Sequence, residues 1–441
     1  MPTNDKILGS TEPGLVSRHS RLTDYSCLVS LAQENYREIL AAILVTWLVL
    51  TNVYHLNCNN VMMDAKVFYM VAVRYASGLS IYMWPPSADT GYFLYSPAIP
   101  MLMRPLLRWG DPGTLQVWFG LNIVALSISG GIAALLSVGC TKRAFVVYCA
   151  ILAMFFHNWA FTNEAFGANC QMLLALIFSV MLVAVRFGKH NVFAAGVAIG
   201  ACFKLWMVGI IGYLALKRKF KEVIVCLAIF ACSFGLMFQI IGWDQFDAFA
   251  KLNKLYGERK LGGNILMHSI SAFGDVHLKA NTFMKPLVDN ESIRNIFVYF
   301  SDGAILLTLL WVMVRKRESP NTTEDILKLC FFISSMFLVM PVFHLSYVVV
   351  LLPGLAWLIF TNQQITPLCK VSGFLLYLVL TRIQVLADYG LAKGLTNPVA
   401  GLLASMPFFW LVAFWAVLLF AILNCRSPEI QNRCDNRLKQ N

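Results

Sequence analysis

The sequence predicts an all-α, polytopic membrane protein, and three observations carry that prediction. Only 13% of the 441 residues are charged, against 58% hydrophobic. A soluble domain carries about 25% charged residues, so a chain with half that share lacks the groups to cover a water-facing surface. Apolar runs of roughly 18 residues or more recur along the whole length, each long enough for a membrane helix. The chain is also rich in aromatic residues, with 11 Trp, 15 Tyr and 32 Phe, and Trp and Tyr anchor helices at membrane–water interfaces. The net charge of +12 is then a topology signal and not a nucleic-acid footprint, and no nucleic-acid partner is expected.

Taken in order, residues 1–38 are polar and of mixed charge. They are expected to form a cytoplasmic tail without a cleavable leader. Expected spans follow at 39–54, 114–138, 144–161, 169–185, 192–216, 222–243, 295–314, 327–342, 347–360, 371–387 and 399–423. These make about 10–12 membrane helices in a single multi-pass domain over 39–425, followed by a basic cytoplasmic tail at 426–441. The 12 cysteines lie mostly inside apolar runs and at no zinc or redox spacing, as buried small hydrophobes do.

Orientation comes from basic clusters at span ends: Lys142-Arg143, Arg186 with Lys189, Lys217-Arg218-Lys219 with Lys221, Arg315-Lys316-Arg317, Lys370, and Arg426 to Lys439. Placing them all in the cytoplasm leaves a conflict at 192–216, where only 25 residues separate two basic flanks. Two full crossings need about 40 residues, and one crossing puts the flanks on opposite sides. A hairpin of two short arms resolves the conflict, with Gly196 and Gly200 softening the first arm and a turn near Phe203-Lys204-Leu205. That turn carries Lys204 into the membrane layer, where an unpaired ionisable group costs about 3 kcal/mol and marks a functional position. The other reading is one long span with Lys204 facing a carboxylate. With the hairpin, both termini are cytoplasmic and two long loops, 57–112 and 244–294, fall outside.

The first outer loop is the more informative. Met62-Met63-Asp64-Ala65-Lys66 opens a stretch in which Phe68, Val71, Ala72 and Tyr75 return at helical spacing, the pattern of a helix at the membrane surface. Gly78, Tyr82, Trp84-Pro85-Pro86, Gly91-Tyr92-Phe93-Leu94-Tyr95-Ser96-Pro97 and an apolar segment with Arg104-Pro105 follow. In the second loop Asn290-Glu291-Ser292 fits an N-glycosylation acceptor.

The order of these elements resembles glycosyltransferase family 87, the polyprenyl-phosphate-mannose-dependent mannosyltransferases of the GT-C superfamily. The resemblance rests on an Asp at the start of a surface helix, a Tyr-x-x-Tyr-x-Pro element (Tyr92 to Pro97), an Arg/Pro-bearing apolar helix, and a hairpin with Lys at its tip before a Lys-Arg-Lys turn. Asn163-Glu164 with Asn169 and Gln171 stand where the family has a Gly-Gln-x-Asn-like helix start, although Gly-Gln itself is absent. Gly263-Asn264 with His268-Ser269, and Phe343-His344-Leu345-Ser346-Tyr347, match later elements. One departure is that only His344 stands where the family often has paired histidines. The resemblance spans roughly 39–360 and implies a GT-C type fold acting on the extracytoplasmic side of a bacterial inner membrane.

It also implies the chemistry. The donor is a sugar on a polyprenyl phosphate, and the acceptor is a lipid-linked or envelope glycan. The phosphate leaves as an anion of low basicity, so one carboxylate base suffices for an inverting transfer. Asp64 is the expected base, with His344 to orient it or share its proton. Lys204, Arg104, Arg259 and Lys260 are the candidate cations for the phosphate, and Tyr95, Asn264, His268 and Gln171 are candidate substrate contacts. The sugar is a hexose, mannose by resemblance. No cofactor or metal is expected, and the chain is expected to act as a monomer in contact with membrane lipid. The alternative is a secondary transporter with a broken-helix substrate site, but the chain shows no internal repeat of the kind transporters use.

Overall fold

The computed structural model describes residues 63–83, 93, 95–141, 143–157, 168–258, 269–281, 284–315, 322–340, 344–362, 365–394 and 396–425. The expected span at 39–54 and both tails, 1–38 and 426–441, lie outside the described residues. Within them the chain is all-α. In chain order the helices are α1 Met63–Ala76, α2 Ala98–Met103, α3 Gly110–Val138, α4 Arg143–Phe156, α5 Gln171–Arg186, α6 His190–Phe203, α7 Ile211–Leu216 and α8 Phe220–Ile241. They continue with α9 Asp244–Glu258, α10 Ile270–His277, α11 Glu291–Val314, α12 Thr322–Val339, α13 Val348–Phe360, α14 Pro367–Gly394, α15 Pro398–Gly401 and α16 Met406–Asn424.

Four stretches are long and apolar enough to cross a bilayer: Ala98–Val138, Phe220–Ile241, Glu291–Val314 and Pro398–Asn424. Helix α14 makes a fifth if its two parts, bent by 52° to one another, count as one span. α4, α5, α6 and α13 are apolar but shorter. The core is α12 and α13, both buried over most of their length. α8 and α11 instead leave Ile224, Leu236, Ile296, Phe300 and Leu307 more than 60% exposed, a surface that only lipid covers without penalty. The molecule is a multi-pass α-helical membrane protein.

The hairpin at 192–216 is present, and ring contacts define it. α6 ends at Phe203, Lys204 is extended, a 3-10 helix runs over Leu205–Ile210, and α7 completes the return. Phe193 and Tyr213 meet with ring centroids 5.4 Å apart. A Cβ on Gly200 would lie 2.6 Å from Met207 Cε. Both pairs are centred on residues 203 and 204, so the chain folds straight back at Lys204. The single long span facing a carboxylate is therefore excluded. Gly196 and Gly200 lie inside a continuous helix and do not soften it; they let Met181 and Met207 approach its backbone. Gly209 and Gly212 do the same for Met336 and Phe332 of α12. The small residues sink the hairpin into the bundle, where van der Waals contact replaces the hydrophobic drive that lipid cannot supply.

The outer loops are more ordered than their prolines and glycines imply. α1 buries Ala65, Phe68, Val71 and Ala72 completely, on the face expected from their spacing. The second loop, read from sequence as a loop, holds α9 and α10, and α11 begins at Glu291, four residues earlier than expected. Asn290 is the N-cap of α11, its side chain accepting from the Ser292 and Ile293 backbone N–H groups, which gives this residue of the N-glycosylation pattern a structural task.

Close backbone approach also joins α14 to the segment after α15. A Cβ on Gly390 would fall on the Ala404 backbone nitrogen and 2.7 Å from the Leu403 carbonyl carbon. Gly390→Ala must push the two segments apart, with an expected loss of about 1–3 kcal/mol in unfolding of the detergent-purified chain. Gly235→Ala in α8, where a Cβ meets nothing within 4 Å, should leave stability unchanged or slightly raised.

Candidate active site

Asp64 is the second residue of α1, half-buried in the first helical turn. One turn later Phe68 is wholly buried and meets the Tyr95 ring edge-on at 4.7 Å. Tyr95 is held from its backbone as well, since the Tyr82 hydroxyl donates to its carbonyl at 2.7 Å. That strand of loop is fixed in turn by Gln245 of α9, whose Oε1 accepts from Ser80 Oγ at 3.0 Å, Ile81 N at 2.9 Å and Tyr82 N at 3.3 Å. One buried glutamine thus ties the first outer loop to the second.

The polar centre of the cluster is Asn169, buried just before α5. Its Oδ1 accepts the Cys170 backbone N–H at 2.7 Å, and its Nδ2 donates to Asp64 Oδ2 at 2.7 Å and to the Tyr95 hydroxyl oxygen at 2.6 Å. The preceding residue, Ala168, is buried with φ of 47°, a left-handed conformation that an L side chain adopts at a cost of about 1–2 kcal/mol. Its carbonyl accepts the Trp118 indole N–H at 2.9 Å, a contact that holds the strained turn in place.

Lys204 reaches this cluster from the hairpin tip. Ser96, next to Tyr95, donates through its hydroxyl to the carbonyl of Cys202 at the end of α6. The Lys204 ammonium lies 3.9 Å from the Tyr95 ring centroid and 5.3 Å from that of Tyr347. Tyr347 stacks on Trp206 at 5.9 Å. The Trp206 indole N–H is buried without a hydrogen-bond partner among the described residues, so a donor is left over beside the lysine's own turn. His344 completes the group, its ring 5.8 Å from Tyr347.

Of the residues expected from sequence, Asp64, Tyr95, Lys204 and His344 therefore belong to one chain of contacts. His344 lies against Tyr347 and within electrostatic reach of Lys204, whereas the hydrogen-bond partner of Asp64 is Asn169. Gln171 is wholly buried at the start of α5. Arg104 stands apart: it is exposed and lies over the Tyr75 ring at 5.1 Å, and Tyr75 is about 16 Å along α1 from Asp64. Arg259, Lys260, Asn264 and His268 lie outside the described residues, as do Asn163, Glu164, Trp84 and Tyr92. Asn169 carries more of the geometry than its place beside a helix start indicates, and the roles of Tyr347 and Trp118 have no sequence signal of their own.

Burial, and after it the Lys204 ammonium, hold the His344 imidazole down at about 4. Burial alone holds His277 of α10 at about 4, with its Nε2 2.7 Å from Ser405 Oγ. Both lie below an unfolded histidine's value of about 6.5. Between those values the unfolded chain binds more protons than the folded one, so stability falls as pH drops from about 6.5 towards 4. Thermal unfolding of the purified chain should show that loss, and His344→Gln should flatten part of it; an unchanged slope in the variant would place the acid sensitivity elsewhere.

The sequence pattern of glycosyltransferase family 87 matches residues 93–341, more than half of the 441 residues. The matched region contains Tyr95, Asn169 and Lys204, while Asp64 and His344 lie just beyond its two ends. No curated protein matches the chain. A bundle of apolar helices around a buried polar cluster is consistent with that match, and the chain belongs to glycosyltransferase family 87 as a membrane glycosyltransferase.

Proposed function

We propose that the chain transfers a hexose, mannose by its family resemblance, from a polyprenyl-phosphate donor to a lipid-linked or envelope glycan, with inversion at the anomeric carbon. The observation that supports this reading is the placement of one carboxylate and one cation on either side of a neutral Asn169–Tyr95 bridge. The acceptor hydroxyl attacks the anomeric carbon and gives its proton to Asp64. The bond from that carbon to the phosphate oxygen breaks, its electron pair leaves with the polyprenyl phosphate, and Lys204 meets the charge that builds on the departing oxygen.

The surroundings of Lys204 favour an anion as its partner. Aromatic rings attract an ammonium without neutralising it, and the spare Trp206 donor suits a phosphate oxygen. His344, neutral at physiological pH, offers one donor and one acceptor without adding a second positive charge. Arg104, Gln171, Arg259, Lys260, Asn264 and His268 are proposed further from the reacting atoms, as contacts for the remaining donor phosphate oxygens and sugar hydroxyls. The proposed setting is the extracytoplasmic face of a bacterial inner membrane, with both termini cytoplasmic.

The test uses membranes containing the full chain, tritiated mannose on polyprenyl phosphate, and transfer into the endogenous acceptor fraction. Asp64→Asn should slow transfer by about 10²–10⁴-fold and Lys204→Met by about 10²–10³-fold. Full activity of Asp64→Asn removes Asp64 as the base, and absence of transfer by the native chain removes the donor assignment.

A further inference from the structure

We infer that Asn169 is a positioning residue for the transfer, holding the Asp64 carboxylate by one oxygen and keeping it from closing onto Lys204. The inference rests on the reading of Asp64 as base and adds a residue to which that reading gives no role.

The amide has a single orientation. Its Oδ1 is committed to the Cys170 N–H, so the group facing Asp64 and Tyr95 is the NH₂, which can only donate. One hydrogen goes to Asp64 Oδ2, which leaves Asp64 Oδ1 to receive a proton from an acceptor hydroxyl. The other goes to the Tyr95 hydroxyl oxygen, and the Tyr95 ring carries the Lys204 ammonium. Asn169 therefore sets the position of the base relative to the cation through two bonds and one ring contact.

Its own position is over-determined. A buried alanine in the left-handed region precedes it and is clamped by Trp118, and α5 follows two residues later. Strain that persists in a buried turn is a mark of a functional constraint. The chemistry has a reason to require a neutral amide here. In a low-dielectric cluster an anion and a cation free to meet form an ion pair, in which the base would be less available to a hydroxyl and the lysine less available to a phosphate. Asp64 and Lys204 form no such pair.

The experiment uses the same full-length chain and tritiated donor. Asn169→Ala should lower kcat by about 10²-fold, the effect of a misplaced catalytic group, with KM for the donor changed by less than about twofold. Asn169→Asp keeps the shape but replaces the donor with a second carboxylate, and it should be at least as slow as Asn169→Ala. A role in packing alone predicts near-native rates for Asn169→Asp and overturns the inference, as does a loss carried by KM. If Asn169→Ala does not fold, Asn169→Asp carries the comparison. In the Asp64→Asn background, Asn169→Ala should cost nothing further, since both remove the same function; an additional loss overturns the inference. Asp64→Asn at full rate defeats the base reading itself, whereas an inactive Asp64→Asn beside native-like Asn169 variants defeats only the role given to Asn169.

Discussion

An ammonium group in the membrane layer has to be compensated, and the way Lys204 is compensated organises the rest of the molecule. Leaving it bare would cost about 3 kcal/mol or more, and a desolvated aromatic ring returns about 2 kcal/mol. Two rings, Tyr95 and Tyr347, flank it. For Tyr95 to be there, the first outer loop has to reach the hairpin tip, which the Ser96 bond to the Cys202 carbonyl secures. For Tyr347 to be there, the turn between α12 and α13 has to bring its ring onto Trp206. The lysine thus draws together segments more than 140 residues apart in sequence, from Tyr95 through Lys204 to Tyr347.

Rigidity around that contact comes from groups that never touch it. Gln245 binds three loop residues at once. Tyr82, fixed by one of those bonds, packs between Phe93 and Phe238 at 5.6 and 6.2 Å. Phe68 locks α1 against Tyr95 and Trp118, and the same Trp118 clamps the turn that presents Asn169. A site built on loops normally lacks the precision of one built on regular elements. Here the loops are pinned at so many points that Asp64 and Lys204 have little freedom to move apart.

The fold was legible in the sequence because lipid imposes a simple rule, that spans are apolar and backbone bonds are satisfied within them. The same rule exposed Lys204: two basic flanks 25 residues apart cannot be reconciled with a straight helix. Asp64 and Tyr95 were legible from the order of motifs in the first loop. Asn169 was visible only as a polar residue before an apolar run, because its part depends on an alanine with positive φ and on an indole 50 residues earlier, neither of which leaves a pattern in the chain. Gly196 and Gly200 were misread as flexible because a glycine that bends a helix and one that admits a neighbour look alike until Met181 and Met207 are seen against them. Arg104 was misplaced for a related reason: it lies eight residues beyond Ser96, but the short α2 and the 3-10 helix over Arg104–Trp109 carry it to the far end of α1.

Charges elsewhere in the bundle show what the site could have been. At the other end of the hairpin Lys217 pairs directly with Asp325. One turn along α12, Glu324 and Lys328 pair at 2.9 Å with side chains only 5% and 6% exposed. Those charges are neutralised where they stand, the arrangement that minimises the desolvation penalty when burial is unavoidable. Asp64 and Lys204 share one polar cluster, yet a neutral amide and a phenol stand between them. An ion pair would relieve both, and the fold, which makes such pairs readily elsewhere, instead spends a strained alanine turn on the side chain that prevents it. That choice is intelligible if each charge is kept for a partner that arrives with the substrate: a hydroxyl proton for the carboxylate and a phosphate for the ammonium.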